Sequence, residues 1–161
     1  MNQMFRFAAV LVAGLLSAVS AQAQDRGPKT LDYWSNISKV CDDELGSISD
    51  KSPVMKQITA MRNSARRINE LSARGVDPEA VEVAEKMVRL FKRIGDYVED
   101  YGDADRGFKS GFRDGLNGNP TRVIDERKAI ENETSETKEL INKIRKRLES
   151  RYDRDFPALL R

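Results

Sequence analysis

The 161-residue sequence contains no histidine. That removes Ser–His and Cys–His nucleophile activation, histidine-based zinc and di-iron sites, covalent c-type haem and histidine acid–base catalysis. Cysteine is nearly as scarce: Cys41 is the only one, so no disulfide can staple the chain to itself and stability must come from packing. Strand signals are missing too, since no alternating β-branched run is bounded by turn residues. Downstream of residue 23 no stretch is apolar enough to span a membrane. The basic stretches lack the interleaved aromatics on which single-stranded nucleic acid stacks, so a nucleic-acid partner is not expected.

What is present begins with an address. The amino terminus and Arg6 form a positive n-region, Phe7 to Val19 an apolar run, and Ala21 and Ala23 a small-x-small cleavage pattern. The run is shorter than the roughly 20 residues a spanning helix needs, which disfavours an uncleaved anchor. Residues 1–23 are expected to be a signal peptide cleaved after Ala23, with no lipid anchor because Gln24 stands where a cysteine would be required. The mature protein is expected to be periplasmic or secreted, with no transmembrane anchor after cleavage.

Residues 24–161 then form a single domain with 27 Lys and Arg against 26 Asp and Glu. Charged residues make up 34% of the chain while the net charge is close to zero, so the surface is laced with ion pairs and has no strong long-range field.

Three dipeptides, Ser52-Pro53, Asp77-Pro78 and Asn119-Pro120, each put a good N-cap residue before a proline suited to the first helical position. Apolar residues recur at spacings of three and four. The stripes are Trp34, Ile37, Cys41, Leu45 and Ile48; Val54, Ile58, Met61, Ala65, Ile68 and Leu71; Val83, Met87, Leu90, Ile94 and Tyr97; and Val123, Ile130, Thr134, Thr137, Ile141, Ile144 and Leu148. Gly75 is placed to end the second helix in a left-handed conformation. The spacing predicts an all-α fold, an antiparallel bundle of four or five amphipathic helices near 31–46, 53–73, 78–101, 104–117 and 120–152, the third either running on through Gly102 or restarting after a kink there. The weakly apolar middle of the last helix, ENETSET, is expected to bend or project, and Ala158 to Arg161 to fray.

Candidate sites are few. Gly107, Gly111 and Gly115 fall four apart, each followed by a large apolar residue, Phe108, Phe112 or Leu116. On a helix this makes a groove beside a ridge, and three glycines cost about 2 to 3 kcal/mol of helix stability, which a close-packed neighbour must offset. That neighbour is either another helix of the same chain or a partner, an unidentified protein or a second copy. A second candidate is the basic set Arg62, Arg66, Arg67, Lys143, Arg145, Lys146 and Arg147, able to dock an anionic envelope polymer or lipid headgroups as a peripheral contact. The competing account pairs these residues with carboxylates in the chain and with a helix C-terminus. Asp103, Asp105 and Asp114 match positions 1, 3 and 12 of a calcium loop, but Gly107 and Phe108 fail positions 5 and 6. Cys41, followed by Asp42, Asp43 and Glu44, reads as a small buried apolar residue, with an intermolecular disulfide as the alternative. The glycosylation-type tripeptides at Asn36 and Asn132 lie in predicted helices and carry little weight.

No cofactor or catalytic constellation is indicated. The expected function is that of an exported, non-catalytic helical protein acting by protein–protein contact. The alternatives are the electrostatic binder and, more distantly, an enzyme that dispenses with histidine.

Overall fold

The computed structural model describes the backbone of residues 26–49, 51–109 and 120–160, and the side chains of these except 102–109, 120 and 121. The expected signal peptide, Asn119 and residues 110–116 of the glycine ladder lie outside the described residues. Four helices and no strand occur among the described residues: α1 over 26–45, α2 over Val54–Asn69, α3 over Pro78–Lys109 and α4 over Pro120–Tyr152.

Their directions alternate. Gly27 lies against Tyr152, while Cys41 shares a cleft with Thr134 and Lys138, so α1 and α4 run antiparallel. Arg67 on α2 reaches back to Asp43 and Glu44 at the end of α1, and Arg62 pairs with Asp96 and Glu99 far along α3. Glu79 meets Arg147 while Arg93 meets Glu126 and Glu133, which sets α3 antiparallel to α4. The apolar stripes converge on a core of Trp34, Ile37, Ala65, Ile68, Val83, Met87, Phe91, Ile141, Ile144 and Leu148. Gly95 lets α2 cross closely: a Cβ there would stand 3.6 Å from Met61 Cβ.

The start of α3 is built as its sequence implies. Asp77 Oδ1 accepts from the Glu79 backbone N–H at 2.9 Å, and Pro78 takes the first helical position. The start of α2 differs. Pro53 is the N-cap without a side-chain cap bond, because the Ser52 hydroxyl faces backwards and accepts from the Ser49 N–H at 3.0 Å.

Three other expectations are corrected. α3 is one helix from Pro78 to Lys109, with no break between 101 and 104. A single Gly102 costs about 1 kcal/mol, less than nucleating a separate helix, and the Tyr97 and Tyr101 rings, with centroids 5.5 Å apart and planes tilted by 48°, pack together just before it. α2 ends at Asn69, so Gly75 is not its cap. With φ of +77°, Gly75 instead occupies the third position of a turn closed by the Val76 N–H on Ala73 C=O, the place where a type II turn needs glycine.

Residues 158–160 are packed and not frayed, and Arg161 lies outside the described residues. Phe156 and Leu159 are buried, and the Phe156 ring meets Trp34 edge-on at 5.8 Å. Trp34 is fully buried, so its indole N–H needs an acceptor, and Pro157 C=O supplies one at 2.8 Å. The middle of α4 is packed as well: Thr134 donates to Ile130 C=O, and Thr137 is fully buried.

Candidate binding cleft

The carboxyl-terminal end of α1 stops short of the α3–α4 pair. Helical over 20 residues, α1 is about 30 Å long at 1.5 Å per residue, whereas the 32 residues of α3 make about 48 Å. Where α1 ends, a cleft of about 290 Å³ opens, floored by Leu90, Phe91 and Ile94 of α3, flanked by Leu45 and Met61, and edged by Leu160. Asp42 and Lys138 bring opposite charges to its lining.

The polar groups in this cleft are quiet. Burial first, and then the carboxylate of Asp42, push the Cys41 thiol up to about 12, so at neutral pH it is a protonated, unreactive group. An intermolecular disulfide through Cys41 would have to open this packing, since the thiol is free and buried. The Thr134 hydroxyl is committed to Ile130 C=O at 2.7 Å. What the cleft can do chemically is take up apolar surface.

The basic candidates are distributed among partners within the chain. Arg62 bonds Glu99 and lies near Asp96, Arg66 pairs with Glu70 at 3.0 Å, and Arg67 spans Asp43 and Glu44. The hydrogen bonds that Arg67 donates to Glu44 and Asp43 raise its pKa further. Arg145 meets Glu149 and Arg147 meets Glu79. Lys143 and Lys146 are exposed on α4. The seven are thus not gathered on one face. Arg62 and Arg66 share a groove with Lys92, and Asp96 stands in that groove with them.

Among the glycine-ladder residues, Gly107 and Phe108 continue the helical backbone of α3, and Gly111, Phe112, Gly115 and Leu116 lie outside the described residues. Asp103 and Asp105 also sit in helical backbone, so the first half of the calcium match is not a loop, and Asp114 lies outside the described residues. Among the described residues no group of three or more acidic or thiol side chains is placed to hold a metal ion. No described helix is long and apolar enough to cross a membrane.

Near the other end of α1 lies a polar knot that sequence reasoning missed. Asp77 is buried, and its Oδ2 accepts from Arg151 at 2.6 Å and from the Tyr152 hydroxyl at 2.7 Å. Its backbone N–H donates to Thr30 at 3.0 Å, and Arg147 and Arg151 both reach Glu79. Burial works against the Asp77 carboxylate. The bonds from Tyr152, the Glu79 N–H and Arg151, with the charge of Arg151, outweigh it and hold the carboxyl below its ordinary value. Asp77-Pro78 was legible as a helix cap, but the partners lie 74 and 75 residues away and carry no local signal.

Comparison with known proteins adds no relative: no protein family, no curated protein and no solved structure gives a match to this chain.

Proposed function

We propose that the protein is exported through residues 1–23 and acts without catalysis, by seating apolar side chains of a partner protein in the cleft between α1, α2, α3 and α4. The cleft carries this reading. Its volume of about 290 Å³ lies at the lower edge of the roughly 300 to 1,000 Å³ of small-molecule sites, which suits one or two anchoring side chains. Its lining residues Asp42 and Lys138 offer both signs of charge, which fits a polypeptide surface better than a uniformly anionic polymer. The in-chain pairing of Arg62, Arg66, Arg67, Arg145 and Arg147 takes support from an electrostatic dock, because a paired guanidinium presents little net charge to a distant anion.

The test is affinity capture from the envelope or culture medium of the producing cell, using the mature chain and an Ile94→Trp variant whose larger side chain fills the cleft. The proposal expects a partner that stays bound at about 0.5 M salt, where the Debye length falls to a few ångströms, and that the variant fails to retain. A partner held equally by both proteins, or released from both by salt, contradicts it. Mass spectrometry of the exported chain should give an amino terminus at Gln24.

A further inference from the structure

Residues 156–160 lie on the chain like a docked peptide. Two apolar anchors, Phe156 and Leu159, are almost fully buried in the main core. Between them the backbone is held by groups distant in sequence: the Trp34 indole N–H donates to Pro157 C=O at 2.8 Å, and the Ser38 hydroxyl reaches Ala158 C=O at 3.5 Å. Glu149 accepts from the Phe156 N–H at 3.3 Å. Pro157 stiffens this stretch by fixing its own φ and restricting Phe156.

Past Ala158 the character changes. The chain bends at Leu159, and Leu160 adopts a φ of +55°. A left-handed conformation is unfavourable for a residue with a branched side chain. Leu160 is half-buried, packs against the core, and lines the edge of the apolar cleft together with Cys41, Leu45 and Phe91.

We propose that residues 156–160 are a strap over the cleft, with Phe156 and Leu159 as its fixed anchors and Leu160 as a strained cover that an incoming apolar segment lifts to enter. The inference rests on the cleft being the contact site, and it adds the order of events: the cover opens before the partner seats. The strain at Leu160 works in favour of opening. Once the cover is lifted, the residue can relax into a more favourable region and leave the anchors in place.

Cys41 reports the opening because it lines the same cleft and is the only cysteine in the sequence. The experiment measures the rate at which a maleimide labels Cys41 in the mature protein at pH 8, with no partner present. Leu160→Gly removes the cover and suits a positive φ, so labelling should quicken at least tenfold with the melting temperature unchanged. Leu159→Ala loosens an anchor, and Leu148→Ala removes a comparable side chain from the core on α4. At urea concentrations chosen to give the two equal stability, labelling of the Leu159 variant should be faster by about tenfold, because its opening is local. Unchanged labelling in Leu160→Gly, or equal rates in the two matched variants, overturns the strap. Labelling reads the strap and capture with Ile94→Trp reads the cleft, so either can fail without the other.

Discussion

Replacing Asp77 with alanine removes three kinds of interaction at one buried position. The first is the helix cap on the Glu79 N–H, worth about 0.5 to 2 kcal/mol. The second is the bond from the Tyr152 hydroxyl, worth about 1 to 1.5 kcal/mol. The third is the contact with Arg151, whose side chain is 42% exposed, so solvent screening reduces it to about 0.5 to 1 kcal/mol. Together Asp77→Ala should cost about 3 kcal/mol, a drop in melting temperature of about 10 °C for a domain of this size. Asp77→Asn keeps one oxygen for the cap but turns an amide N–H toward Arg151 and the Tyr152 hydroxyl in place of Oδ2, and should cost about 2 kcal/mol. The pH dependence has a definite sign. The folded-state carboxyl is held below its unfolded value, so its contribution is complete above about pH 4 and is lost as pH falls through the lower folded value. The gap between native protein and Asp77→Asn should therefore close in acid. Urea unfolding followed by circular dichroism at several pH values measures this. An Asp77→Ala variant within about 0.5 kcal/mol of the native protein, or a gap that widens in acid, would refute the reasoning.

Thr137 is fully buried with a hydroxyl that has no hydrogen-bond partner among the described residues, so Thr137→Val should raise stability by about 1 kcal/mol in the same unfolding assay. A Cβ at Gly95 would make an ordinary contact with Met61, and Gly95→Ala should therefore stabilise by about 0.5 to 1 kcal/mol, while Gly95→Leu should lower the melting temperature by forcing α2 away from α3. The Cys41 thiol, pushed up to about 12, should show no thiolate absorbance at about 240 nm between pH 7 and 10 in the difference spectrum against Cys41→Ser; a rise centred near pH 8.5 would show an unperturbed thiol.

Much of the fold is legible in the sequence because a helix records its burial locally. Ile58, Ala65, Ile68, Val83, Met87, Leu90, Ile141, Ile144 and Leu148 all come from three-four stripes, and all are buried. Capping was legible at Asp77 but not at Ser52, because a cap residue can bond in either direction along the chain and only the surrounding loop decides. The continuity of α3 was only half legible: the three-four spacing runs on through Tyr101, Ala104 and Phe108, but Gly102 left a restart open, and helix propagation tolerates one glycine more cheaply than it starts again. The candidate cleft was not legible at all. It forms because α1 ends where α3 does not, and its walls come from positions as distant as Cys41 and Leu160. The tail failed for a related reason: a short apolar segment has no period, and the acceptor that Trp34 finds on Pro157 is 123 residues away.

The central claim is that the cleft receives part of another protein, and site-specific photocrosslinking tests it most directly. A benzophenone-bearing residue replaces Leu45, which lines the cleft, or in a separate chain Met55, which is 70% exposed on α2 away from it, in cells exporting the protein. The account predicts one discrete crosslinked species from position 45, absent from position 55 and lost when Ile94→Trp is introduced into the same chain. Equal crosslinking from both positions, or a position-45 species that survives the filled cleft, would contradict it.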